Sequence, residues 1–389
     1  MRITGIRERT VPISRHADPA LPSGGLTTSI VALITDVVRD GRPVVGFGFS
    51  SIGRFGQGGL LAERFIPRLQ EAAPEDLLDD AGGNLDPWRV WSVLMQGEKS
   101  GGHGDRTVAV GTLDMAVWDA AAKIAGQPLH TLLADRLQRN PPADGRVKLY
   151  AGGGYYYPHD DRRRLAEEVR RFLDLGYTDA KIKIGSASLD EDLRRIETVL
   201  ALLPGSDHLA VDAMNAYDRA ACLTAAEALA PFGLRWFEDI CPPLDFETLA
   251  AAAQAYPSPI AAGEPLFSLD EARLLARHGG LRPDRDILLF DPTHCYGLTH
   301  FLRIVEHMTA CGWPRSAFWP HGRHLFTLHI VHALGLGGSE VNPFCFQPFG
   351  GLADATELTN GTAVPPTAPG VGFETRATLS DLFETLLDD

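Results

Sequence analysis

From about residue 147 onward the chain repeats one pattern. A short run of apolar residues is closed by a polar or charged side chain, and a stretch with apolar positions three and four apart follows. The short runs end near Tyr150 (Val-Lys-Leu-Tyr), Ile184 (Ala-Lys-Ile-Lys-Ile), Asp212 (Leu-Ala-Val-Asp), Glu238 (Leu-Arg-Trp-Phe-Glu), Glu264 (Pro-Ile-Ala-Ala-Gly-Glu), Asp291 (Asp-Ile-Leu-Leu-Phe-Asp), His321 (Ala-Phe-Trp-Pro-His) and Glu340. Between them the helical stretches carry their own punctuation. Leu165, Val169, Phe172 and Leu173 share a face and stop before Gly176, a residue suited to end a helix. Ser188 and Glu191 have the spacing of a capping box ahead of Leu193, Ile196, Leu200 and Leu203, and Ser268 with Glu271 repeats it ahead of Leu274 and Leu275. Repeated strand-then-helix units read as a parallel sheet, and eight of them predict an α/β protein with a (β/α)8 barrel.

The start of the chain breaks this rhythm. Ile30–Asp36 and Pro43–Gly48 look like strands of a small antiparallel sheet, with glycine-rich loops at Pro22–Gly25 and Ser50–Gly59. Helical stretches follow around 61–73 and 108–125. The pattern predicts an α+β capping domain over 1–135, a catalytic barrel over 136–355, and a return over 356–389 that carries no barrel strand. The amphipathic stretch Leu379–Leu387 is expected to pack back on the capping domain.

Composition narrows the class. The chain has 389 residues, and its 44% hydrophobic and 22% charged content fits a globular protein. No apolar run approaches the length of a membrane span, and Met1–Arg7 lacks an apolar signal core, so a cytoplasmic location is the expectation. The net charge of −14 argues against a nucleic-acid partner, because phosphate backbones want a basic surface. It leaves room for a small anionic substrate, whose local field a metal and lysines can set. The five cysteines form no CxxC pair and read as reduced thiols, which argues against a zinc-thiolate site.

The chemistry lies at the strand ends. Asp212, Glu238 and Glu264 are each 26 residues apart, one unit per step, so three adjacent strands would aim three carboxylates at one point. Such carboxylates repel one another unless a cation relieves them, and an all-oxygen set suits Mg²⁺ or Mn²⁺ over zinc. Any one of them could instead cap a helix or pair with an arginine; three in register favour the metal. Lys181 and Lys183 are two apart on one strand, so both point the same way, while Ile182 and Ile184 face the helices. Two interior lysines need partners or work, and burial with mutual repulsion is expected to lower a lysine pKa until it can act as a base. The bland alternative, a solvated edge strand, fits the isoleucines poorly. Asp291 and His321 close neighbouring strands, where a carboxylate can orient an imidazole, and His321 then faces Lys183 across the barrel. The other histidines, His294, His300, His307 and His332 among them, read as structural.

This layout resembles the enolase superfamily and, within it, the mandelate-racemase-like group. The residues that carry the resemblance are Lys181-Ile-Lys183, Asp212, Glu238, Glu264 and the Asp291/His321 pair. The segments Arg54–Leu60, Glu98–Gly104, Gly152–Pro158 and Leu334–Gly338 are similar to the D-tartrate dehydratase type. The resemblance implies an enolase-like modified TIM barrel under an N-terminal cap, with Mg²⁺ on Asp212, Glu238 and Glu264. It makes Lys183 the base, tuned by Lys181, and His321 the acid, oriented by Asp291. Lys99, Glu340 and Tyr156 become substrate contacts. The expected enzyme is a hydro-lyase: it removes the α-proton of a hydroxy-diacid or acid sugar and expels the β-hydroxyl to leave a 2-keto acid. Two alternatives stand beside it. One is a racemase or epimerase of a 2-hydroxy acid on the same residues; the other is a non-catalytic barrel that only binds. A small carboxylate partner and a homo-oligomer are expected, with no membrane association.

Overall fold

The computed structural model describes residues 1–141 and 144–388. The chain opens with an antiparallel sheet of β1 (Ile3–Pro12), β2 (Thr27–Arg39) and β3 (Arg42–Phe49), in that spatial order. Ile30–Leu33 of β2 are fully buried. β1 goes beyond the two expected strands; its Arg-Glu-Arg-Thr stretch is too polar for its alternation to stand out. Helix Asp105–Ala125, buried along nearly its whole length, crosses β3 at close range. Gly46 and Gly48 permit this: a Cβ on either would come within 2.0 Å of the helix carbonyls of Ala116 and Thr112. Helices Pro87–Leu94 and Leu129–Arg136 also lie in this region.

Seven parallel strands follow: β4 (Val147–Gly152), β5 (Ala180–Lys183), β6 (Leu209–Asp212), β7 (Trp236–Glu238), β8 (Ile260–Ala262), β9 (Ile287–Leu288) and β10 (Ser339–Val341). Their order is β10-β4-β5-β6-β7-β8-β9. The expected run ending at His321 is reduced to a single parallel bridge between Leu288 and Phe318, and Gly337 N–H donates to Phe318 O at 2.9 Å on the far side. This stave closes the ring between β9 and β10. Glu264 and Asp291 stand beyond the ends of β8 and β9, which stop at Ala262 and Leu288.

The helices sit on the expected faces. Leu165, Val169 and Phe172 are buried on helix Asp161–Asp174, and Gly176 ends it at φ +96°. Ser188 and Ser268 accept from the N–H groups of Glu191 and Glu271, and Glu271 reaches back to Phe267 N–H at 2.6 Å. The barrel interior is filled below the site by Tyr150, Ala210, Trp236, Ala261, Leu289 and Trp319. The Trp236 ring is 5.1 Å from Tyr150 and 5.7 Å from Trp319, an aromatic floor.

The tail corrects one expectation. Thr362–Ala363 forms β11, which adds antiparallel to the start of β4, so the segment after 355 does extend the barrel sheet. The last helix, Ala377–Glu384, packs on the β1–β3 sheet: Phe383 stacks on Phe47 at 4.3 Å, and Arg7 donates to Leu386 O at 2.7 Å. No helix among the described residues is long and apolar enough to cross a membrane.

Candidate active site

Strand register brings the first cluster together. Lys183 pairs with Asp212, and Asp212 with Glu238, across β5, β6 and β7. Side chains at equivalent register on parallel strands point to the same side, here the barrel interior. Glu264 joins from the loop after β8, and all three carboxylates offer oxygens within 4.8 Å of one another. All are buried. Asp212 is held by Met214 N–H at 2.7 Å, and Glu238 by Trp236 Nε1 at 2.9 Å. Hard oxygens from two strand ends and the loop after a third, buried and converging, fit a divalent cation.

Lys181 and Lys183 are both buried, with Ile182 and Ile184 packed outward into the core. Lys181 Nζ contacts Glu238 and lies 3.4 Å from Glu340 and 3.6 Å from Asp212; Lys183 Nζ contacts Asp212. Here the expected depression of the lysine pKa does not hold. Burial works to lower both, but Glu238 and Glu340 hold Lys181 well above the usual value, and Asp212 raises Lys183. The lysines are the carboxylates' counterions, and Asp212 is correspondingly lowered: burial works to raise it, but Lys183 and Lys181 prevail.

The opposite wall is built from loops. His321 Nδ1 lies 2.6 Å from Asp291 Oδ2, and its Nε2 lies 3.2 Å from Glu264. Asp291 is fixed by Thr293 N–H at 2.7 Å and His294 N–H at 3.1 Å. Burial pushes Asp291 up to about 8 and, with Arg323 and His294 alongside, holds His321 well below 6.5. With the proton on Asp291, His321 accepts it at Nδ1 and presents Nε2–H to the site.

Two residues in this wall, and one beside β7, were not expected at the site. His294 is not a remote structural histidine: its ring is 5.5 Å from His321, and its Nε2 is 3.6 Å from Asp291. Arg323 is fully buried near Glu264 and Glu340. Asp239 adds a further buried carboxylate; burial and then Glu264 push it well above the usual range. The signal for Asp239 lay in its sequence position beside Glu238; for the other two, periodicity gave none.

The expected substrate contacts separate. Glu340, on β10, is in the cluster, and burial's upward push on it is outweighed by Lys181 and Arg323. A Cβ on Gly152 would lie 2.1 Å from Glu340 Oε1, so only glycine leaves room for that carboxylate. The Tyr156 hydroxyl is taken by Asp192 and by Ser186 N–H. Its neighbour Tyr155 faces the site instead, with its ring 5.2 Å from Lys183 Nζ. Lys99 lies exposed in the Glu98–Gly104 loop, which Glu98 anchors to Arg68 and Arg106 at 3.0 and 3.2 Å. The cap loops reach the site: Ser14 O accepts from Phe346 N–H at 2.8 Å, Asp18 pairs with Arg164 at 3.0 Å, and Phe55 packs on His294 at 5.2 Å.

The chain is similar to several known proteins. A family model described as Enolase C-terminal domain-like matches residues 164–379. An arabinonate dehydratase from Saccharolobus solfataricus is 23% identical, over 92% of both chains. A D-galactarolactone cycloisomerase from Agrobacterium fabrum is 27% identical, over 74% of this chain and 76% of that one. The crystal structure of L-talarate dehydratase from Polaromonas sp. JS666, complexed with Mg and L-glucarate, superposes with a TM-score of 0.74 at 26% identity, covering 95% of this chain and 94% of that one.

Proposed function

We propose that this chain, which belongs to the enolase superfamily and its mandelate-racemase-like group, is a Mg²⁺-dependent hydro-lyase acting on a hydroxy-diacid or acid sugar of the tartrate kind. One observation carries the reading. Lys183 Nζ contacts Asp212, and His321 Nε2 lies 3.2 Å from Glu264, so a base and an acid flank one carboxylate cluster from opposite walls. In this reading residues 1–135 form the cap, 136–355 the catalytic barrel and 356–389 the return.

Mg²⁺ on Asp212, Glu238 and Glu264 would supply the positive charge that stabilises an enediolate. With Asp212 turned to the cation, Lys183 would lose the ion pair that raises it; burial and the Lys181 charge then favour its neutral form, whose Nζ takes the α-proton. His321 gives its Nε2 proton to the departing β-hydroxyl as Asp291 passes its own proton to Nδ1, so the imidazole ends neutral and the hydroxyl leaves as water. The aromatic floor and the cap loops keep bulk water from the site. The resulting enol tautomerises to a 2-keto acid.

The test separates the two walls. With Mg²⁺ and a panel of tartrates and acid sugars, His321→Asn should lose 2-keto acid formation by about 10²–10⁴-fold yet still exchange the α-proton with deuterium oxide. Lys183→Ala should lose both. Normal dehydration by the Lys183 variant would falsify the assignment, and an inverted stereocentre in place of a keto acid would turn the reading to a racemase.

A further inference from the structure

Arg323 stands in a position that its own backbone disfavours. Its φ is +74°, in the left-handed region that suits glycine. The turn does not need its side chain: Arg323 O accepts from Asn342 N–H at 3.3 Å and from Gly351 N–H at 3.0 Å, bonds that any residue could make. The side chain is 1% exposed, and the Phe346 ring lies 4.5 Å beneath the guanidinium. Nε is 3.6 Å from Glu340 and Nη2 is 3.9 Å from Glu264, ion-pair distances without hydrogen bonds. Nε and Nη1 have no hydrogen-bond partner among the described residues. A buried, strained arginine with open donors is costly for stability and is the arrangement expected of a recognition group.

We propose that Arg323 is a specificity-determining residue that binds the second carboxylate of the substrate, so that the site selects diacids over monocarboxylic acids. Arg323 follows His321 on the irregular stave, within ion-pair distance of Glu264 and Glu340 and over the Phe346 ring. One carboxylate belongs with the cation beside Lys183. A second oxyanion reaching the far wall meets a planar set of N–H donors, the geometry that guanidinium offers carboxylates. A substrate lacking that group leaves these donors open, which is how a polar site rejects an analogue. This inference rests on the Mg²⁺-dependent reading above.

The test is calorimetric binding to the Mg²⁺-loaded enzyme of tartronate, with two carboxylates, and glycolate, which lacks the second. The native chain should bind tartronate at least about 100-fold more tightly. Arg323→Gln should cut that preference below about tenfold with glycolate little changed. Arg323→Lys, which keeps the charge without the planar donors, should fall between. Arg323→Gly, suited to the positive φ, answers the same question should the glutamine variant not fold. An undiminished preference in these variants overturns the proposal. So does an equal loss for both ligands, which would make Arg323 a counter-charge for Glu264 and Glu340. A native enzyme that prefers tartronate but dehydrates nothing keeps this inference and sinks the dehydratase reading. One that dehydrates acid sugars but binds both probes alike does the reverse.

Discussion

The barrel mouth has two walls of different construction. On the β5–β8 side, Lys181, Lys183, Asp212 and Glu238 stand on regular strands, and each finds an opposite charge one or two staves away. From β9 to β10 the backbone is irregular: β9 is two residues long, its neighbour is a single bridge, and Tyr296, Gly297 and Arg323 take positive φ. That side holds imidazoles that burial keeps uncharged, His294, His321 and His324. The first wall is held by salt bridges, and the second, Arg323 and its acidic neighbours apart, by neutral imidazoles. The two should therefore fail under different conditions.

Acid should break the irregular wall, and this is the largest effect expected. Burial lowers His324 from 6.5 to about 3. Its folded value lies below its unfolded one, so the unfolded chain binds the extra proton between those limits. The stability it contributes is complete above pH 6.5 and is lost as pH falls towards 3, roughly 4–5 kcal/mol in full at about 1.36 kcal/mol per unit. His324 Nδ1 also accepts from Phe326 N–H at 3.3 Å, a helix cap that asparagine can replace. Denaturant unfolding of His324→Asn between pH 4 and 6 should show a stability slope shallower by about one proton. An unchanged slope would mean that this imidazole is not the source.

The same division explains what could be read from the sequence. Alternation along a strand fixes side-chain direction, so Lys181-Ile-Lys183 and the carboxylates closing β6 and β7 were legible from spacing alone. Glu264 was legible as well, although it stands two residues past β8, because it repeats the 26-residue spacing that separates Asp212 from Glu238. His294 and Arg323 were not legible. They stand several residues past the last paired positions of short staves, Leu288 and Phe318, where no strand alternation fixes side-chain direction. Tyr156 was misjudged for a related reason. In Gly152-Gly-Gly-Tyr-Tyr-Tyr the strand ends at Gly152 and Gly154 has φ +63°, so alternation could not say which tyrosine faces inward, and it is Tyr155.

The aromatic floor belongs to both walls, because Trp236 lies on β7 and Trp319 on the irregular stave. Trp236→Ala should cost about 3–5 kcal/mol, by lost burial and a cavity too central to collapse. It also removes the Nε1 donor to Glu238, so Mg²⁺ should raise the melting temperature less in the variant than in the native chain. Calorimetry with and without Mg²⁺ measures both effects. A variant with native metal-dependent stabilisation would show that the floor supports the fold without orienting that ligand.

The smallest effect compares how helices begin on the two sides. After β8, Ser268 caps helix Leu269–His278 from within its own unit, accepting from Glu271 N–H at 3.2 Å. On the irregular side, helix Leu298–Ala310 follows Gly297 with no side-chain cap from that residue. Asp114, on the long helix Asp105–Ala125, serves it instead, accepting from Thr299 N–H at 3.2 Å and from its hydroxyl at 2.6 Å. Ser268→Ala removes a local device and should cost about 1 kcal/mol in denaturant unfolding, the same with or without Mg²⁺. Asp114→Ala removes a cap that also ties the long helix to the barrel, so its cost should exceed that of Ser268→Ala. Equal costs for the two would mean that the irregular side is held as locally as the regular one, and the contrast between the walls would then be confined to charge.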